Sequence, residues 1–397
     1  MTTPPRPKLL YLVTEDWYFW SHRLPMARAA RDAGFAVTVA TRIDRHGDRI
    51  AAEGFAVQPL SWRRSSINPL GALAAIREIA ALYRRERPDI VHHVALKPVV
   101  LGGLAAGLAG VPAVVNALAG LGSVFVAAGG LRTRLKTRLA ALVVRPLLRW
   151  LLSRPNSLVI LQNADDLRTL SGGGMIAAEQ ARIIRGSGID TGHFSVLPTP
   201  PSPPLAIGCA ARLLTNKGIE SLVAAQQSLR GDGIDVELRL AGQPDPASPT
   251  SIPQAQLDRW ADLPGVTLLG QVDDVRTLWA RCHVAVLASR GGEGLPKSLL
   301  EAAACGRPIV ATDVPGCREV ARPGENALLV PPDDAPALAA ALSTLLRDAA
   351  LRDRFGTASR RLVESDLAAD RVGAKTVELY RSLLGTLTPR PVPAEAS

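Results

Sequence analysis

The chain has 397 residues, 47% of them apolar and 21% charged, with Gly and Pro scattered throughout; this is too long for one hydrophobic core, predicts two packed domains, and excludes the disordered and fibrous classes. The net charge of +10 sits entirely in the first half, where residues 1–200 carry 25 Lys and Arg against 13 Asp and Glu, leaving 21 against 23 in the remainder. With 4% aromatic residues and no recognised nucleic-acid motif, the excess is not read as a nucleic-acid surface.

The N-terminus MTTPPRPKLLYLV runs from prolines straight into a short apolar stretch without a signal-peptide pattern. The apolar runs all break before the roughly 20 residues that a spanning helix requires, so a cytoplasmic protein is expected. KLLYLV (8–13), AVTVA (36–40), DIVHHV (89–94), PAVVNA (112–117) and SLVILQ (157–162) alternate with helical stretches, which predicts βα units on a parallel sheet. No carboxylate occurs between Asp89 and Asp165, while the same interval holds eight Lys and Arg, a one-sided patch suited to an anionic partner.

Within that interval, LRTRLKTRLAALVVRPLLRWLLSR reads as a helix. At 100° per residue Arg134, Arg138, Arg145 and Arg149 fall in a stripe about 60° wide, and Leu135, Leu139, Leu142, Val143 and Trp150 occupy the adjoining face. An interfacial helix on an anionic membrane has this form, and so does a core helix with an arginine edge; membrane docking is the expectation.

The segment VLPTPPSPPL can form neither helix nor central strand and is read as a stiff linker between domains at 1–197 and 205–369. Beyond it AIGCAA (206–211), VELRLAG (236–242), VTLLG (266–270), HVAVLAS (283–289), PIVAT (308–312) and ALLVPP (327–332) repeat the architecture. Residues 370–387 have helical periodicity and are expected to pack back on the first domain, with a disordered tail over 388–397. Cys209, Cys282, Cys305 and Cys317 lack metal-ligand or CxxC spacing and read as reduced core residues.

Chemistry concentrates in two strand-to-helix junctions of the second domain, where open parallel sheets bind ligands. SRGGEGLPKSLLEAAACGRPIVAT passes from a strand through a glycine-rich turn into a helix whose first N–H groups, around Leu295 and Lys297, suit a diphosphate. Glu293 sits in the turn and Glu301 eight residues later, a little over two turns along the same helix, which separates the two carboxylates by roughly 12 Å at 1.5 Å per residue. That is too far for one acid/base pair, but suits a carboxylate at each end of an elongated ligand. In AARLLTNKGIE, Arg212 and Lys217 can neutralise a diphosphate and stabilise its departure. Read alone, the two glutamates are a turn residue and a helix-surface charge, and the basic pair is equally compatible with a solvated loop.

Together these segments resemble glycosyltransferase family 4, a large retaining family of the GT-B fold. The resemblance rests on E-x7-E from Glu293 to Glu301 within GLPKSLLEAAACGRPIVATDVPGCREV and on R-x4-K from Arg212 to Lys217, and it spans nearly the whole chain. It implies two Rossmann-like α/β domains facing across a cleft, with the C-terminal helix packed on the first. It further implies that Arg212 and Lys217 hold the donor diphosphate, that Glu293 lies by the transferred sugar and that Glu301 holds the ribose. Gly294, Leu295 and Lys297 would supply backbone contacts, and GSGID (186–190) resembles the interlobe loop, placing Gly186, Ser187 and Gly188 near the donor. EDWYFWSHRLPMARAARDAGFAVTVAT, VHHVALKPVVLGG and NALAGLGSVF are similar to bacterial surface-polysaccharide enzymes, which implies a polyprenyl-diphosphate-linked sugar as acceptor and points to a UDP-linked HexNAc donor, with GDP- or dTDP-sugars as alternatives. The chain departs from the family in carrying Glu15, Asp16 and Trp17 in place of paired glycines, and in having no histidine after the strand ending at Asn116.

Candidate acceptor residues are Asp16, His22, Arg23 and Lys97, with His92 and His93, of which alternation on a strand lets only one face the cleft. No D-x-D triplet occurs, so no metal or other cofactor is expected. A nucleotide-sugar epimerase or a non-catalytic membrane scaffold of the same fold are the rival readings; no GxGxxG follows either first strand, which argues against a dehydrogenase.

Overall fold

The computed structural model describes residues 6–62, 69–120, 144–246 and 248–386. Two lobes each contain a wholly parallel sheet. In the first, β1 (Lys8–Glu15), β2 (Ala36–Arg42), β3 (Ala56–Pro59), β4 (Ile90–Val94), β5 (Ala113–Ala117), β6 (Ser157–Leu161) and β7 (Ala181–Ile183) are ordered β3-β2-β1-β4-β5-β6-β7. In the second, β8 (Leu205–Ala210), β9 (Val236–Ala241), β10 (Val266–Gly270), β11 (Val284–Leu287), β12 (Ile309–Thr312) and β13 (Ala327–Val330) are ordered β10-β9-β8-β11-β12-β13. Both orders start centrally and wind outward, the doubly wound arrangement that opens a crevice at the strand C-termini.

The central strands are buried and mostly apolar because helices cover both faces of a parallel sheet, with His92, His93 and Asn116 as buried polar exceptions in β4 and β5. β4 and β12 are buried along their whole lengths. Two edge strands went unanticipated. β3 is a half-exposed AVQP that ends in proline, and β7 has three residues; neither carries an apolar run.

The chain crosses between lobes twice, and the crossings touch. Ile189 donates its N–H to the Leu367 carbonyl at 3.0 Å and accepts from Ala369 N–H at 2.9 Å. The helix Ala369–Thr386 lies against the first lobe, where its Gly373 sits on Ala29 of the helix Leu24–Asp32. From it Tyr380, fully buried, meets the Tyr11 hydroxyl at 2.8 Å and His92 Nδ1 at 2.5 Å. The tail over 388–397 lies outside the described residues, as do Arg134 and Arg138.

The described part of the basic segment, a helix over 144–152, turns Leu148 and Leu152 into the core and buries Leu151. Arg145, Arg149 and Trp150 face outward, with the Arg154 guanidinium 4.8 Å over the Trp150 ring. In this stretch the apolar face packs on the protein and the arginines form the outer edge. No described helix is long and apolar enough to cross a membrane. All four cysteines are free and buried.

Candidate active site

A cleft of about 520 Å³ opens between the lobes at the C-terminal ends of both sheets. Its second-lobe wall is built by the loops after β8 and β11. After β8 the chain passes Arg212, makes one tight turn over Thr215–Lys217, and enters the helix Ile219–Gly231 through Gly218. Gly218 has φ +66°, and a Cβ there would overlap the Ala288 carbonyl oxygen, so only glycine lets this loop pass beneath the end of β11.

That passage brings Lys217 into an ion pair with Glu293, both side chains about 15% exposed, while Ser289 Oγ donates to Glu293 Oε1 at 2.8 Å. Arg212, half exposed at the rim, bonds Asp245 Oδ2 at 2.7 Å. Glu293 lies in an irregular loop containing Gly291 and Gly292 at positive φ, ahead of the helix Lys297–Ala304, so the two glutamates do not share one helix. Pro296 is the N-cap, no side chain caps the first turn, and Leu295, Pro296, Lys297 and Ser298 line the cleft. The orphan N–H groups of that turn remain available to an anion.

Glu301 is one turn further in, buried and 3.5 Å from Lys297 Nζ, behind the cleft lining. Burial raises its carboxyl above the ordinary range, and the Lys297 ammonium offsets part of that rise. Gly186 and Ser187 reach the lining, with Gly186 seated on the Leu295 side chain. Gly188 is turned away: a Cβ there would meet Ala369 Cα at 2.5 Å, so it serves the crossing between lobes.

The first-lobe wall includes Thr14, Glu15, Trp17, Tyr18, His22 and Arg23, with Ala119 and Gln162 also in the lining. His22 stacks on Tyr18 with ring centroids 4.4 Å apart. Burial, then the charges of Lys297 and Arg23, push its pKa down to about 3, so it is neutral.

The remaining acceptor candidates are elsewhere. Asp16 is fully buried and committed to the backbone, accepting from Trp17, Asp44, Arg45 and His46 N–H groups at 2.7–2.9 Å. Burial would raise its pKa, but these four donors outweigh that and hold it low. Neither histidine of β4 faces the cleft. His92 stacks on Tyr11 and bonds Tyr380, while His93 is fixed between Asn116 Oδ1 at 2.9 Å and the Tyr83 hydroxyl at 3.0 Å, its pKa pushed down to about 4 chiefly by burial. Alternation separates their two faces, but helices cover both. Lys97 is likewise off the lining, with its ammonium 5.9 Å over the Trp62 ring.

Sequence reasoning missed Tyr18, Asn216, Ser289, Gln162 and Ala119 among the residues that build the cleft. Gln162 alone carried a signal, standing directly after β6 where ligand-facing residues emerge. Among the described residues no group of three or more His, Cys, Asp or Glu is placed to hold a metal.

Two parallel α/β lobes facing across such a cleft define the GT-B class. Residues 8–163 match the family Glycosyl transferase 4-like and residues 204–348 match Glycosyl transferases group 1, so that each lobe carries one domain. The chain belongs to these glycosyltransferases.

It is 25% identical over 345 residues to the Campylobacter jejuni N,N'-diacetylbacillosaminyl-diphospho-undecaprenol alpha-1,3-N-acetylgalactosaminyltransferase, covering 83% of this chain and 87% of that protein. The Streptomyces coelicolor exopolysaccharide phosphotransferase SCO2592 is 41% identical over 120 residues, 30% of this chain and 13% of that protein. Four further relatives, two of them named for colanic acid or capsular polysaccharide biosynthesis, are matched over 38–46% of their length, so the chain spans less than half of each of these four. Among solved structures, Anabaena Alr3699/HepE in complex with UDP superposes with a TM-score of 0.73 at 19% identity, over 94% of this chain and all of that one.

Proposed function

We propose that the chain is a retaining glycosyltransferase that moves a HexNAc or hexose from a nucleotide diphosphate to a lipid-diphosphate-linked sugar during bacterial surface-polysaccharide or glycan assembly. The observation that carries this reading is the Lys217–Glu293 pair, with Arg212 beside it, at the uncapped start of the helix Lys297–Ala304. Two cations and a helix N-terminus converge where a leaving diphosphate gathers charge, and they are preorganised for it. The step is assigned to them without a metal.

In this scheme the acceptor hydroxyl oxygen bonds to the anomeric carbon on the face from which the nucleotide leaves. The anomeric carbon–phosphate oxygen bond breaks, the hydroxyl proton passes to that phosphate oxygen, and the nucleoside diphosphate departs. Glu293, held by Lys217 and Ser289, sits beside the sugar. Glu301 is assigned to the ribose hydroxyls, which requires the donor to reach behind Lys297. Closure of the lobes excludes water.

The Campylobacter relative is named for an N-acetylgalactosamine transfer to a diphospho-undecaprenol-linked acceptor, which supports a HexNAc and a lipid-linked acceptor, and the Anabaena neighbour was solved with UDP, which supports a UDP-linked donor. Exposed Arg145, Arg149 and Trp150 support docking of the first lobe, as a peripheral protein, on the anionic inner face of the cell membrane.

The test is a screen of nucleotide-sugars against a short polyprenyl-diphosphate-sugar, reading product mass and nucleotide release, with a donor-only arm that detects epimerisation. Transfer is expected with the acceptor, with the anomeric configuration retained. Full transfer by both Arg212→Ala and Glu293→Ala, or epimerised sugar without acceptor, overturns the reading.

A further inference from the structure

Among the described residues, one cation in the cleft has no carboxylate partner. Arg23 is 3% exposed and lines the first-lobe wall, yet no described carboxylate pairs with it. Its Nε is buried without an acceptor, and Nη1 reaches only the His22 carbonyl at 3.3 Å and Met26 Sδ at 3.9 Å.

The nearby acidic groups are committed elsewhere. Glu15 pairs with Arg42 at 3.0 Å, and Asp16 is saturated by backbone N–H groups. Tyr11, Tyr380 and His92, which feel the Arg23 charge, are kept neutral by burial. From the second lobe, Lys297 acts on the same space: after burial, its charge and that of Arg23 disfavour protonation of His22. A guanidinium taken out of water without a partner is costly, which is consistent with a site completed by an incoming anion.

We propose that Arg23 is a diphosphate receptor on the first-lobe wall, its guanidinium fork taking phosphate oxygens of a cleft ligand opposite Lys297. This rests on the glycosyltransferase reading and adds to it a binding residue on the lobe that carries neither Arg212 nor Lys217. The fork suits two phosphate oxygens at once, a geometry that an ammonium does not reproduce. The same chemistry is present in the nucleotide donor and in a lipid-diphosphate acceptor.

The experiment is calorimetric titration of the full chain with UDP and, separately, with farnesyl diphosphate, in wild type, Arg23→Met and Arg23→Lys. Arg23→Met is expected to weaken one of the two ligands at least about 10-fold, with Arg23→Lys recovering only part of the loss. A loss confined to UDP assigns the site to the donor, and one confined to farnesyl diphosphate assigns it to the acceptor; either supports the inference. Arg23→Met should melt no lower than wild type, because it removes an unpaired buried charge. As a second readout, the His22 ring in wild type should gain proton affinity when the ligand binds, since an anion then faces it. Unchanged affinity for both ligands in Arg23→Met overturns the inference and leaves the glycosyltransferase reading intact; a wild type that binds neither overturns both.

Discussion

Lys217 and Glu293 reach the cleft from two different strand-to-helix loops and pair there, with the Ser289 hydroxyl donating to the same carboxylate oxygen, Oε1, that Lys217 meets. Neither charge is free to act alone, since removing one leaves the other half-buried and uncompensated. Glu293→Gln and Lys217→Met are each expected to lower kcat/KM by about 100-fold, the scale of a lost electrostatic contact at a transition state. The double variant should be little worse than either single one, because the pair works as a unit. Losses that multiply in the double variant would show two independent contributions and refute the coupling.

Glu301 supplies a pH test. Burial raises its carboxyl in the folded chain above the value near 4.5 that it has when unfolded. The folded state therefore holds that proton more tightly than the unfolded state, so this group favours folding at low pH and loses that contribution as pH climbs through the raised value. Glu301→Gln removes the penalty, and its melting temperature at pH 7.5 should equal or exceed that of wild type, with the advantage shrinking as pH falls toward 4.5. Nucleotide-sugar affinity should drop in the same variant if the carboxylate holds the ribose. A variant that melts lower at pH 7.5 and binds donor normally makes Glu301 a structural partner of Lys297 alone.

The sheets were legible where burial on both faces leaves apolar runs, as in VAVL of β11 and IVAT of β12, and illegible at β3 and β7, whose edge positions demand no such run. Arg212, Lys217 and Glu293 could be read because they lie in short loops beside strands, where local chain direction places them. Gln162 could not be assigned to the Glu293 loop: a Cβ at Gly294 would overlap its side-chain oxygen, a contact between lobes that no local pattern encodes. The eight-residue spacing of the glutamates misled for a related reason, since Gly291 and Gly292 at positive φ hold Glu293 off the helix. His92 and His93 were flanked by Ile90, Val91 and Val94, and that apolar context reported burial more faithfully than it reported function.

Those two histidines therefore give a prediction about stability. Tyr380 links His92 to Tyr11 inside the first lobe, and Tyr380→Phe leaves a buried imidazole nitrogen and a buried hydroxyl without their shared partner. Urea unfolding should show a loss of about 1–3 kcal/mol. Donor and acceptor KM values should stay at wild-type levels, because none of the three lines the cleft. A large change in KM without loss of stability would return His92 to the list of ligand-binding residues.

Gly218 offers the sharpest local contrast. Its φ of +66° is disfavoured for any other residue, and the space a methyl group would need is taken by the Ala288 backbone, which cannot swing aside as a side chain would. Gly218→Ala must therefore shift the turn that carries Lys217, breaking the pair with Glu293. The expected result is a melting temperature lower by several degrees together with a collapse of transfer activity. Gly172 is the control: it lies in the helix Ala164–Gly172 with open space around its Cα, so alanine there should be neutral or stabilising by about 0.4–1 kcal/mol and leave turnover unchanged. Equal tolerance of alanine at both positions would mean that the Lys217 loop is not held by the end of β11, and that the ion pair forms by some other route.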